Sequence, residues 1–169
     1  MNYLGINCSV EKGFGRVIIV ILNSENEVFR HVFRSPSVFS FNKNSAEILN
    51  WHRDNITSLI SQFNIEGVVV KKTERNSFVS RIKNSGIFKL YLEGVILSLA
   101  GSIGKLNKHF YKTDIQAILP TPNVFDLDIE TICEQNGLTN SFTEIPNSEI
   151  EPTKEALLAV ISLKTIVQA

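Results

Sequence analysis

The sequence predicts an α/β fold: a mixed five-stranded sheet, three antiparallel strands and then alternating helices and strands, flanked by helices. Three observations predict it. Three short apolar, partly β-branched runs separated by turn residues open the chain. An unbroken Val68-Val69-Val70 run lies between two stretches of helical periodicity. A proline-led apolar helix closes the chain.

Tyr3 to Ser9, interrupted by Gly5, reads as a buried first strand, and the β-branched run Arg16 to Leu22 as the second. Glu11 to Gly15 forms the first turn and Ser24 to Asn26 the second, before a third strand over Glu27 to Phe33. After a polar connection from Ser35 to Asn44, a helix starts near Ser45 as N-cap. It carries Ile48, Leu49, Trp51, His52, Ile56, Leu59, Ile60 and Phe63 at helical spacing. Glu66 to Lys71 is the continuous apolar run of a strand covered on both faces.

Lys72 to Arg81 is polar. The helix from Ser85 to Gly101 has only Lys89 and Glu93 as a polar stripe and is expected to be largely buried, with Gly86 and Gly94 allowing close approach to the sheet. Lys108 to Tyr111 is a fifth strand, and Asp128 to Gln135 a helix ending at Gly137. Asn140 to Glu151 reads as a loop, and Pro152 opens the last helix. No repeat or linker divides residues 1–169, which read as a single domain.

With 43% hydrophobic and 20% charged residues the chain has globular composition, and equal counts of 17 basic and 17 acidic residues leave no bulk charge to indicate a partner. Cys8 and Cys133 are expected to be buried and reduced. The N-terminus has neither the basic nor the apolar region of a signal peptide. The apolar stretches Val17 to Leu22 and Leu90 to Ala100 are too short for a membrane span, so a cytoplasmic protein without membrane contact is expected.

The element order resembles the ribonuclease-H-like fold, and within it the RuvC-type resolvases. Leu4-Gly5-Ile6-Asn7 resembles the first-strand motif that normally ends in Asp. Val68-Val69-Val70-Lys71 resembles the fourth-strand motif that normally ends in Glu. Glu155-Ala156-Leu157-Leu158-Ala159 resembles the last-helix motif that normally begins Asp-Ala-Leu. The same valine run, with Phe88-Lys89-Leu90 and the Glu155-Ala156 helix, is similar to a small bacterial family known as domain of unknown function 3010.

The resemblance implies a nuclease centre of two Mg²⁺ or Mn²⁺ ions about 4 Å apart, held by converging carboxylates. Those positions here are Asn7, Lys71 and Glu155, with Glu151 one turn before the last. An amide brings no negative charge, and an ammonium at ~4 Å from a divalent ion costs several kcal/mol. The expectation is therefore no catalytic residue, no bound metal and no cofactor. A shifted strand end bringing Glu74 inward is the alternative route to a metal site; Glu11 is a second such acid, and the bland reading of both is a solvated loop side chain. His31, His52 and His109 lack ligand spacing and are expected at the surface or a strand edge. No nucleophile elbow or Walker loop is present, and Gly13-Phe14-Gly15 fails the strand–turn–helix test for dinucleotide binding.

Charge is unevenly placed. Lys71 to Lys112 holds nine basic residues against Glu74 and Glu93; Thr113 to Glu155 holds nine acids against Lys154. On a RuvC-like fold Lys71, Lys72, Arg75, Arg81 and Lys83 would form a rim for nucleic acid or a protein partner, with Phe78 and Tyr111 as stacking surfaces. Solvated lysines, or basic and acidic segments facing each other within one molecule or across a homo-oligomer, are the other readings. The sequence thus points to a non-catalytic, degenerate RuvC-like binding or scaffold module. The alternative is a metal-dependent nuclease rearranged around Asn7, Glu74 and Glu155, and a purely structural subunit is a third class.

Overall fold

In the computed structural model, residues 1–11, 14–36, 44–74, 84–103 and 105–169 are described. The strands are β1 (Asn2–Glu11), β2 (Phe14–Leu22), β3 (Glu27–Arg34), β4 (Ile65–Lys71), β5 (Leu106–Phe110) and β6 (Thr139–Asn140). The helices are α1 (Ser45–Gln62), α2 (Asn84–Ser102), α3 (Lys112–Ile118), α4 (Ile129–Gln135) and α5 (Asn147–Gln168), with a 3₁₀ turn at Val124–Asp126.

The sheet runs β5-β4-β1-β2-β3-β6. β1, β2 and β3 form the antiparallel meander, while β4 is parallel to β1, and β5 to β4. The mixed sheet is as expected, with six strands instead of five. The extra one, β6, falls in the stretch read as a loop, where Thr139 and Asn140 pair parallel with Glu27 and Val28. Two residues carry too little alternation to be seen in sequence.

Strand parity divides the core in two, because successive side chains point to opposite faces. Tyr3, Val20, Leu22, Val28 and Val69 pack against α5 with Ala156, Leu157, Val160 and Leu163. Leu4, Ile6, Cys8, Val17, Ile19, Val68 and Val70 pack on the other face against Ile48 and Ile56 of α1 and Phe88, Leu92 and Ile96 of α2. Gly5 sets the depth of α5. A Cβ there would stand 2.2 Å from the Ala156 carbonyl oxygen and 2.9 Å from Val160 Cβ, so only glycine lets the helix lie this close to β1.

Several expectations are corrected. Gly86 and Gly94 approach nothing closely; a Cβ at either meets open space. α2 buries only one face, through Phe88, Leu92, Ile96, Leu99 and Ala100, and leaves Leu90 and Tyr91 exposed. Its polar residue Glu93 turns inward instead, 2% exposed. The N-cap of α1 is Asn44, with Ser45 the first helical residue. α5 begins at Asn147, so Pro152 lies inside it. Proline's missing N–H costs nothing in a first turn, which made Pro152 read as a start. The turn before it is held instead by Glu149, described below. His52 is fully buried, not superficial; its Nε2 lies 2.9 Å from Ser35 Oγ.

Other readings hold. Asp128 caps α4 by accepting from the Thr131 N–H at 2.7 Å, and Gly137 follows in the left-handed region (φ 62°). Cys8 and Cys133 are buried and free; burial pushes the Cys8 thiol well above its ordinary range and Cys133 up to about 11. Among the described residues, no helix is long and apolar enough to cross a membrane. The contact candidates Arg75, Arg81 and Lys83, together with Phe78, lie outside the described residues.

Candidate functional site

Parallel pairing of β1 with β4 sets Asn7 beside Lys71, the last residue of β4, and parity turns both toward α5. The close seat of α5 over Gly5 then brings Glu155, one residue before Ala156, onto the same spot. Asn7 Nδ2 donates to Glu155 Oε2 at 2.5 Å, and Lys71 Nζ lies 3.4 Å from Glu155 Oε1. Glu74, three residues beyond the strand, folds back so that its Oε1 is 3.2 Å from the same ammonium. That oxygen also accepts from the Lys112 backbone N–H at 2.7 Å, tying the end of β4 to the start of α3. Lys71 is 5% exposed and Asn7 2%, so both form the floor of the site.

The structure therefore joins Asn7, Lys71, Glu155 and Glu74. The solvated-loop reading of Glu74 is corrected by its two bonds. Glu151 is placed differently: its side chain is 68% exposed and its carboxylate pairs with Lys154 at 2.5 Å. The side chain of Glu11 lies outside the described residues. Lys71 was also a candidate surface contact, but its ammonium is buried between two carboxylates, below any rim. Lys72 is partly exposed, with Nζ 5.3 Å from the Tyr111 ring centre, so the lysine covers a ring read as a stacking surface. Lys71–Glu155 is one contact between the basic and acidic segments, whose facing each other is an alternative reading of the charge distribution.

These four side chains carry one positive and two negative charges. A carboxylate oxygen accepts only from a donor, so it is the amide nitrogen of Asn7, not its oxygen, that faces Glu155. Among the described residues, no group of three or more His, Cys, Asp or Glu side chains is placed to hold a metal ion.

The architecture has solved counterparts. Thermus thermophilus RuvC in complex with a Holliday junction substrate aligns over 99% of this chain and 95% of that one, with a TM-score of 0.69 and 12% identity. The fold is RuvC-like. A second Thermus thermophilus RuvC structure aligns over 99% and 96% of the two chains, with a TM-score of 0.64 and 13% identity. The yeast mitochondrial Holliday junction resolvase Ydc2 aligns over 96% and 77%, with a TM-score of 0.55 and 9% identity. No protein-family model and no curated protein matches the chain, so the narrower resemblance to domain of unknown function 3010 rests on its quoted residues alone.

Two polar clusters beside this centre were missed in sequence. Glu93 Oε1 accepts from the Thr73 N–H at 3.1 Å and from its hydroxyl at 2.7 Å, which fixes the backbone between Lys71 and Glu74. Glu93 Oε2 is buried without a hydrogen-bond partner among the described residues. Glu149, 1% exposed in the first turn of α5, is bound by Arg30 and Arg34 of β3, with Arg16 Nη1 of β2 at 3.6 Å. Arg30 Nε also donates to Thr153 Oγ1 at 3.0 Å, and Arg16 Nε to Ser9 Oγ at 2.8 Å. The available signal was parity: Arg16, Arg30 and Arg34 all belong to the face that packs on α5.

Proposed function

We propose that this chain is a single RuvC-like domain that works by binding nucleic acid or a protein partner, with its nuclease centre degenerate. The observation that carries the reading is the Lys71 ammonium, 3.4 Å from Glu155 and 3.2 Å from Glu74. The two carboxylates that would attract a divalent ion converge on a cation the chain itself supplies. A divalent ion ~4 Å from that ammonium is repelled by about 8 kcal/mol at an effective dielectric near 20. The side chains as arranged do not fit a pair of Mg²⁺ or Mn²⁺ ions. Lys72, with Arg75, Arg81 and Lys83 beyond the described residues, supplies the contact rim of this reading. A bacterial, cytoplasmic protein belongs to this reading, its bacterial part supported by the likeness to domain of unknown function 3010.

The second reading, a rearranged metal-dependent nuclease, is favoured by one observation: Glu74 does turn inward beside Glu155. A cleavage assay with Mg²⁺ and with Mn²⁺ on a four-way junction, single-stranded DNA and RNA separates the two. No cleavage is expected. Cleavage by the purified chain that disappears in Glu155→Gln would establish the second reading. Asn7→Asp combined with Lys71→Glu should create Mn²⁺ binding detectable by calorimetry where the parent chain has none.

A further inference from the structure

We propose that Arg16, Arg30 and Arg34, gathered around Glu149, form a phosphate-binding site that holds nucleic-acid backbone beside the Asn7–Lys71–Glu155 centre. This rests on the nucleic-acid arm of the binding reading and adds a site outside the rim drawn from sequence. The three arginines come from two strands. Arg16 is paired with Arg34 across the β2–β3 ladder, and Arg30 lies two pleats along on the same face. Glu149 meets them from α5, and both of its oxygens are engaged, Oε2 by Arg30 and Oε1 by Arg34.

Among the described residues, the charges around Glu149 leave room for an anionic ligand at the surface. Leaving Arg16 aside, two guanidinium groups face one carboxylate, and Arg16 approaches the same oxygen at 3.6 Å. Arg30 and Glu149 balance each other in the buried part of the cluster, and the additional positive charge sits on Arg34 at the surface, where an anion can approach it. The Arg30 side chain is 9% exposed and that of Arg34 51%, so the cluster is closed below and open at Arg34. Guanidinium forks match phosphate oxygens two at a time, which is the geometry a backbone contact needs. Position agrees as well. Glu149 precedes Glu155 by six residues, about 9 Å along the helix, on the same side of the sheet. A strand crossing the Lys71 centre thus reaches the arginines within a few nucleotides.

The test is fluorescence anisotropy of a labelled single strand and a labelled four-way junction across a salt series, using the whole chain and the variants Arg34→Ala, Arg34→Lys and Lys72→Glu. Arg34 is chosen because it is half exposed, and thermal unfolding verifies that each variant folds. Arg34→Ala should weaken binding about 5- to 10-fold and lower the salt slope by about one, with Arg34→Lys between it and the parent. Unchanged binding in Arg34→Ala while Lys72→Glu binds weakly overturns the arginine site and leaves the binding reading standing. Loss in Arg34→Ala with Lys72→Glu unchanged supports the site and removes Lys72 from the rim. A parent chain that binds neither probe at 50 mM salt overturns the site, while a protein-binding role stands. Inorganic phosphate forms a separate arm. If it raises the melting temperature of the parent but not of Arg34→Ala, and DNA affinity is equal in both, the site takes free phosphate and the backbone assignment is overturned.

Discussion

Replacing Lys71 with methionine keeps an unbranched apolar stem of nearly the same reach and removes the ammonium. At 3.2 and 3.4 Å, an effective dielectric near 20 gives each carboxylate contact a gross attraction of about 5 kcal/mol. Most of that is offset. Solvent screens Glu74 and Glu155, whose side chains are 36% and 26% exposed, and an ammonium at 5% exposure has lost much of its hydration. Exposed pairs are worth about 0–1 kcal/mol and broken buried pairs cost about 3–5, so this intermediate site should lose about 2 kcal/mol. For a chain of this size that is a fall of about 4–8 °C in Tm. Thermal unfolding by circular dichroism, with a urea titration for the free energy, measures it at low salt. At about 1 M salt the deficit should shrink, because the exposed carboxylates are then screened more fully. A methionine variant as stable as the parent at low salt would mean that the ammonium is not held between Glu74 and Glu155. Lys71 would then not occupy a cation's place.

Three further outcomes follow from the packing. Gly5→Ala puts a methyl group 2.2 Å from the Ala156 carbonyl oxygen, so α5 has to lift; a loss of about 3 kcal/mol in urea unfolding is expected, and a neutral result would show that the helix does not seat on Gly5. Burial holds the His52 imidazole down from 6.5 to about 4, so the unfolded chain takes up its proton near 6.5 and the folded chain only near 4. Stability should therefore fall by about 3 kcal/mol as pH drops through that window, and His52→Gln should flatten that segment of the stability–pH curve. Glu149→Gln leaves Arg30 buried without its counter-charge and should cost about 3 kcal/mol; a loss below 1 kcal/mol in the urea midpoint would mean that the cluster does not hold α5.

The parts of the fold that were legible are those with a long, repeated signal. The β-branched run of β2, the valines of β4 and the spacing of α1 each depend on burial, which acts on many consecutive residues. The convergence of Asn7, Lys71 and Glu155 was legible because a motif at a strand end fixes both parity and height in the sheet. Features set by tertiary pairing were not legible. β6 is held by only two paired residues and by hydrogen bonds from the Thr139 and Ser141 N–H groups to Asn26 and Val28. The short helix α3 rests on Asp114, which accepts from the Tyr111 N–H at 2.8 Å, and on the buried Ile115. Glu149 looked like a loop acid because Pro152 marked the helix start. The third strand's sequence assigns no partner to Arg30 and Arg34, and it is the helix laid across that face that buries Arg30 against Glu149. The apolar periodicity of α2 could not say that Leu90 and Tyr91 would stay exposed, since a helix apolar on all sides carries no directional information.

The two ends of the α5–sheet contact are held by different physics, and this bears on the functional reading. From Ala156 to Leu163 the helix is buried against Tyr3, Val20, Val69 and their neighbours, an apolar contact indifferent to ligands. From Asn147 to Glu155 it is held through charge, with Glu149 on arginines of β2 and β3 and Glu155 on Asn7 and Lys71 of β1 and β4. A carboxylate engaged in docking its own helix is less available to a metal, because binding the ion would require giving up that contact. The same arrangement sets two guanidinium groups of β3 against one carboxylate of α5. Conversion toward metal binding should therefore weaken the seat of α5 in the absence of the ion, and Asn7→Asp with Lys71→Glu is expected to be less stable than the parent until Mn²⁺ is added.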